Sequence, residues 1–260
     1  MTHTEPPVRR SEEVMGTVAT VEVCGPSMDL DASQLVGEAF AWLRAVDARF
    51  STYRYDSEVN RLHRGEIRYD ECSADLRHVL DRCADLWELT DGYFDVYASG
   101  RLDPSGFVKG WAVQVASERL SAAGAVNHLV DAGGDIQTRG GPANGRLWEI
   151  GVRHPWHPES TCWVLAGSDL AVATSGTYER GPHVLDPRTG EPARVVRSAT
   201  VVGRDLGLAD AYATAAVAMG AAARGWLATL GDHESGIVME DGTCFRSAGF
   251  PVVTEFEPRP

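Results

Sequence analysis

The sequence predicts an α+β fold, mixed sheets with packed helices, and three observations carry that prediction. Strand-like alternation and helix-like periodicity follow one another without the regular strand–helix–strand rhythm of a doubly wound protein. Several long stretches place apolar residues at helical spacing, whereas many short ones alternate or run apolar between glycine breaks. Finally, a chain of 260 residues that is 43% hydrophobic can bury a sizeable core without staples, as one large domain or two intimately packed subdomains.

Residues 1–13 are polar and proline-bearing, which predicts a disordered tail ahead of a single domain over 14–260. TVATVEVCG alternates as the first strand, with Met15-Gly16-Thr17 at its entry. From Asp29 to Phe50 the residues Leu35, Val36, Ala39, Phe40, Leu43 and Val46 recur at helical spacing. The polar, aromatic loop FSTYRYDSEVNRL then offers a cap for a short helix near Ser57, or one wall of a ligand site. A second long helix is predicted over Ser73 to Thr90, and a third from about Lys109. HLVDAGGDIQTRG reads as two strands around a Gly133-Gly134 break, with a bulge as the structural explanation. LWEIGVRHP, WVLAGSDLAVATSG and SATVVG supply further strands. A last helix starts near Leu208 and runs through ADAYATAAVAMGAAARGWLATL.

Composition excludes several functions. A formal net charge of -13 is wrong for a protein that must neutralise phosphates along a nucleic acid, so no nucleic-acid partner is expected. The five cysteines are widely spaced, with no CxxC pair and no zinc-type grouping, and are expected as reduced thiols. The start of the chain lacks an apolar export segment and a lipid-attachment cysteine, which predicts a cytoplasmic protein with no membrane anchor. Twenty-three arginines stand beside a single lysine, Lys109. A lysine kept against that bias marks either chance or a position needing a compact ammonium. Lys109 at a helix start preceded by Gly106 could meet an anion such as phosphate.

Candidate chemistry is densest over residues 171–190, AVATSGTYERGPHVLDPRTG. A buried strand end breaks into Thr174-Ser175-Gly176-Thr177, and His183 faces that loop across an expected hairpin closed by the turn DPRTG. An ordinary hairpin with a satisfied histidine explains the same residues. Further on, Asp210 and Thr214 stand four apart on one helix face, about 5–6 Å between Cβ atoms. Two hard oxygens so placed could hold Mg²⁺, or Asp210 could merely complement the helix dipole.

The ordered succession MGT, FSTYRYDSEVNRL, GYFD, LDPSGFVKGWAV, VDAGGDI, ATSGTYERGPHVLDPRTG and ADAYATAAVAMG resembles the FAD:protein FMN transferase family, the ApbE-type flavin transferases, over roughly residues 14–250. The resemblance implies a T-fold-like flavin-transferase architecture and a Mg²⁺-dependent enzyme. Such an enzyme takes FAD and transfers FMN to a Thr or Ser hydroxyl of an acceptor flavoprotein, releasing AMP. It further implies Asp210, Thr214 and the main-chain oxygen of Val108 as metal ligands, and His183 as the acid/base group. Met15, Ser51, Tyr53, Asp95, Lys109, Gly133, Gly134, Asp135, Thr174, Ser175, Gly176 and Tyr178 match positions around the flavin and its diphosphate. Lys109 is thereby placed in the catalytic machinery too. Two departures stand out: the segment before DPSGFVKG is short, which removes potential walls, and Gln114 occupies a position often acidic in the family. Hydrolysis of FAD to FMN and AMP, and flavin binding without turnover, are the alternatives.

Overall fold

Alternating apolar residues build two antiparallel sheets. The computed structural model describes residues 6–25, 31–142, 145–178 and 184–256. Its larger sheet contains, in spatial order, β1 (Val8–Val14), β2 (Thr17–Val23), β3 (His128–Ala132), β4 (Asp135–Arg139), β7 (Ala171–Gly176), β8 (Val196–Gly203), β9 (Glu234–Met239) and β10 (Cys244–Arg246). The smaller one is β11 (Val252–Glu255), β6 (Thr161–Gly167) and β5 (Trp148–Arg153). The α+β class is as expected, and among the described residues every strand pairing is antiparallel rather than mixed.

The helices are α1 (Ala32–Phe50), α2 (Glu58–His63), α3 (Ala74–Leu89), α4 (Ser105–Ala122), α5 (Leu206–Met219) and α6 (Ala223–Leu227). Side-chain oxygens start four of them: Asp31, Ser57, Ser73 and Asp205 accept from the backbone N–H three residues on. The main core joins the larger sheet to the helices, with Val21, Val130, Ala132, Phe40, Leu43 and Val113 all fully buried. A second core, including Ile150, Val152, Trp163, Val172, Val202 and Phe250, lies where the two sheets meet. All of α5 except Leu208 and Thr214 is buried, so Asp210 is carried into the interior on a largely apolar helix.

Three expectations are corrected, on the tail, the Gly133-Gly134 break and the last helix. Residues 8–13, read as part of a disordered tail, lie in β1 and pair residue for residue with β2. Their polar composition is that of a charged edge strand: Arg9 meets Glu22, Arg44 meets Glu12, and Ser11 bonds Thr20. Met15-Gly16 is the two-residue turn of that hairpin, both residues at positive φ, 56° and 70°. Gly133-Gly134 is likewise a two-residue hairpin turn, with φ of 64° and 94°, and not a bulge. The last helix is interrupted at Gly220, where a φ of 60° ends α5 before α6 begins. The stretch Leu206–Leu227 is long and apolar enough to span a membrane by composition, and 72% of its most apolar window is buried inside the fold.

The expected reduced thiols are free cysteines, and burial pushes those of Cys24, Cys83 and Cys162 up to about 12. They are packing groups rather than nucleophiles.

His128 is fully buried in β3, with Nδ1 2.6 Å from the Ala125 carbonyl and Nε2 2.7 Å from Ser117 Oγ. The carbonyl can only accept, so Nδ1 carries the proton and the hydroxyl donates to Nε2. Burial holds this imidazole below its usual value of 6.5. In the window beneath that value the unfolded chain binds a proton that the folded one refuses, so stability present above about pH 6.5 falls as pH drops. The melting temperature is expected to fall more between pH 7.5 and pH 5 in the parent than in His128→Gln, read by thermal denaturation at both pH values.

Candidate active site

A cavity of about 1200 Å³ opens where the ends of β2, β3, β4 and β7 meet the starts of α4 and α5 and the edge of β5. It gathers Met15, Ser51, Tyr53, Asp95, Val108, Lys109, Gly133, Gly134, Thr174, Ser175, Gly176, Tyr178, Asp210 and Thr214, residues far apart in the chain. Asp135 lies behind the wall, fully buried, and reaches the cavity through Lys109, whose Nζ is 2.8 Å from Asp135 Oδ2. His183 lies outside the described residues. Just beyond it, Val184, Leu185 and Pro187 line the same cavity. The expected turn at 186–190 is present, with Gly190 N–H donating to Asp186 O at 2.8 Å.

The floor is acidic. Asp210 is 3% exposed and Asp135 0%, and the single ammonium near them, Lys109, pairs with Asp135. Burial first, and then the charge of Asp135, drive the Asp210 carboxyl well above the usual carboxylate range. Burial likewise raises Asp131, on the cavity wall, although the Gly134 N–H bonded to its Oδ1 at 2.9 Å acts the other way.

The structure moves the start of α4 to Ser105, four residues before Lys109. Lys109 therefore does not sit at a helix N-terminus. Phe107 and Val108 N–H groups already bond the Pro104 carbonyl, and the lysine serves the floor through its side chain. Gly106, read as the residue leading into a helix start at Lys109, lies inside α4 and comes against α5: a Cβ there would stand 3.2 Å from Thr214 Oγ1. Ser175 Oγ is 3.0 Å from the same Thr214 Oγ1, so β7, α4 and α5 converge on one hydroxyl.

Gly110 was missed entirely. Its N–H donates to Asp210 Oδ2 at 3.0 Å, so the Gly106 carbonyl, four residues back, has no sole claim on it. A Cβ at Gly110 would run into the Leu206 carbonyl and come 2.9 Å from Asp210 Cβ. Only the spacing of Lys109-Gly110 inside a helix, a glycine where none is needed for a turn, could have signalled it. Gln114, by contrast, is not at the floor: its Oε1 accepts from Leu206 N–H at 2.8 Å and thus helps cap α5.

Around the mouth, the FSTY loop is pinned by Asn60, whose side-chain amide donates to the carbonyls of Thr52 at 3.0 Å and Arg54 at 2.8 Å. The short segment that follows GYFD folds on itself, with Asp103 N–H donating to Val96 O at 2.8 Å. Arg101 ties it to Thr52 O at 3.0 Å. It builds a low wall, and Tyr53 remains 95% exposed at the rim. Arg188 crosses from the 186–190 turn to Asp91 and stacks 4.2 Å from the Tyr93 ring, bracing the opposite side.

Fold and floor together define an α+β protein with an open cleft, at whose base buried carboxylates, hydroxyls and one ammonium meet. The chain belongs to the ApbE family: the family model matches residues 15–101 and 97–237. A Vibrio cholerae protein named FAD:protein FMN transferase is 35% identical over 273 residues, covering 82% of this chain and 81% of that one. Among solved structures, the flavin transferase ApbE from Vibrio cholerae superposes with a TM-score of 0.83 at 24% identity, covering 94% of this chain and 98% of that one. The ApbE protein from Thermotoga maritima gives 0.82 at 22% identity, covering 94% and 97%; these two establish the shared fold.

Gly110→Ala should wedge α4 from α5. The expected loss is about 1–3 kcal/mol, the usual cost of overpacking a filled interior, read as a lower midpoint in urea.

Proposed function

We propose that this protein transfers the FMN portion of FAD to a Thr or Ser hydroxyl of an acceptor flavoprotein, with release of AMP and dependence on Mg²⁺. The observation that carries the reading is the floor of the cavity: two buried carboxylates and two hydroxyls facing a single ammonium, in a chain whose Vibrio cholerae relative bears that activity in its name.

The residues present suit a hard divalent cation. Among the described residues no three His, Cys, Asp or Glu side chains converge, so a metal here would draw on mixed oxygen donors. Asp210 and Thr214 would hold it, with a main-chain carbonyl of the first turns of α4. Val108 and Gly106 both lie on the cavity there, and Gly106 is the one against Thr214. When bound, Mg²⁺ withdraws charge from the diphosphate oxygens and so weakens the bond between the two phosphates.

The chain's own residues do the rest. Lys109, held by Asp135, sets a fixed positive charge at the base of the cleft where phosphate oxygens would lie. Ser175 and Thr214 offer hydroxyl donors at the same place. The acceptor's hydroxyl oxygen forms the new bond to the FMN phosphorus as the anhydride P–O bond breaks and AMP leaves with the electron pair. His183 takes the proton that the hydroxyl loses.

Incubation with FAD, Mg²⁺ and the acceptor flavoprotein of the Vibrio cholerae relative should yield AMP and acceptor-bound flavin fluorescence in equal amounts. AMP without bound flavin would make the protein a hydrolase, and neither product would leave it a binder. Asp210→Ala should abolish AMP release, with partial recovery at high Mg²⁺, while FAD binding persists in a titration. His183→Ala should keep FAD and Mg²⁺ affinity and slow transfer by about 10²- to 10⁴-fold, a defect that shrinks as pH rises. Transfer at the parental rate would remove the histidine from the mechanism. Lys109→Arg should also lose activity, because a planar guanidinium does not fit beside buried Asp135.

A further inference from the structure

One wall of the cavity is a strand seen from its edge. Ile150, Gly151, Val152 and Arg153 of β5 all line it, yet successive side chains of a strand point to opposite faces. The burial pattern confirms the alternation: Ile150 and Val152 are buried and Gly151 and Arg153 exposed. Four consecutive residues can border one space only if that space runs along the backbone itself.

The ladder shows which backbone groups face that space. In antiparallel pairing the N–H and C=O of one residue leave on the same side, and neighbours alternate. Ala166 of β6 donates to Pro251 O at 2.9 Å, on the β11 side. Its neighbour Leu165 therefore turns to β5, where it pairs with Ile150, and Val152 pairs with Trp163 in the same sense. Cys162 O accepts from Phe256 N–H at 2.8 Å, again on the β11 side, which leaves Trp163 to β5 and agrees. Gly151, opposite Val164, thus directs both its N–H and its C=O away from β6. β5 is the last strand of its sheet, and among the described residues neither group of Gly151 has a hydrogen-bond partner.

We propose that this edge receives an extended segment of the acceptor protein, which adds a strand to β5 through the N–H and C=O of Gly151. The inference rests on the transferase reading above and names where its protein substrate docks. Three features select a peptide. The edge runs along the cavity for four residues, on the order of 10 Å, which suits the length of an extended chain. The cavity of about 1200 Å³ is larger than the usual ligand pocket, which leaves room for a polypeptide beside a dinucleotide. The edge also borders the same cavity as Thr214 and Asp210, so a hydroxyl carried on such a strand is delivered toward the floor.

Proline on an edge strand removes one outward donor and leaves the inner ladder intact. A Cβ at Gly151 would come 2.8 Å from Thr161 Cγ2, so room is made with Thr161→Ser. Gly151→Pro/Thr161→Ser is compared with Gly151→Ala/Thr161→Ser, which keeps the N–H. With the Vibrio cholerae acceptor as probe, the proline variant should show a KM for acceptor raised by about tenfold over the alanine control, as for one lost hydrogen bond, with FAD affinity equal in both. Equal acceptor KM values would overturn the proposal, and so would a loss confined to FAD affinity, which would make the edge a nucleobase site. A second measurement needs no variant: hydrogen exchange at the Gly151 amide should slow on adding acceptor and not on adding FAD alone, and no slowing would sink the idea even if the proline protein failed to fold. If the unaltered protein makes AMP but never labels an acceptor, the transferase reading fails instead.

Discussion

The site depends on how closely two helices approach. α4 and α5 touch at Gly110, where a single added methyl group would meet the Leu206 carbonyl and Asp210. That contact lets a backbone N–H of one helix hold a carboxylate of the other, and fixes Asp210 at the base of the cleft. The same approach brings Gly106 against Thr214, and Thr214 in turn bonds Ser175 on β7. Three elements distant in sequence are thus locked to a common point by main-chain geometry.

The electrostatics follow from that burial. An apolar helix carries Asp210 into the core, and the neighbouring Asp135 makes its ionised form costlier still. Lys109 can neutralise only one of the two carboxylates. Such an arrangement is costly as packing, since two carboxylates are taken out of water against one ammonium. The lone lysine fits this setting, for a compact ammonium on a flexible stem enters a crowded floor where a guanidinium fork would have to displace its neighbours.

Much of this was legible beforehand, for identifiable reasons. Helical spacing marked α1 and α3 closely, and the i, i+4 rule placed Asp210 and Thr214 on one face. The polar loop before Ser57 announced both its short helix and its place beside the cavity. β1 was illegible because edge strands wear the charged composition of a tail. The start of α4 was misplaced because Pro104, Ser105 and Gly106 look like a loop, although proline and serine are at home where a helix begins. Gly110 and Gly106 were invisible as site residues because their contribution is the absence of a side chain, and periodicity reads only side chains that are present.

That last point extends to the whole cavity. Its lining includes Gly16, Gly106, Gly133, Gly134, Gly151 and Gly176, so much of what a ligand would meet is peptide backbone. At Gly176 a Cβ would strike the Tyr178 ring, and at Gly133 it would strike Thr17, so these residues let neighbouring groups close in as well as exposing main chain. Labour is divided accordingly. The floor works through side-chain charge and hydroxyls, where the identity of each residue matters to the chemistry. The walls work through N–H and C=O groups whose directions are set by strand register and tight turns, so their recognition survives side-chain change but not a shift of register. A substitution that slips the β5–β6 pairing by one residue would turn the Gly151 backbone inward and leave every floor residue in place. The side-chain charge of the floor and the main-chain groups of the walls therefore rest on separate sets of contacts in this fold.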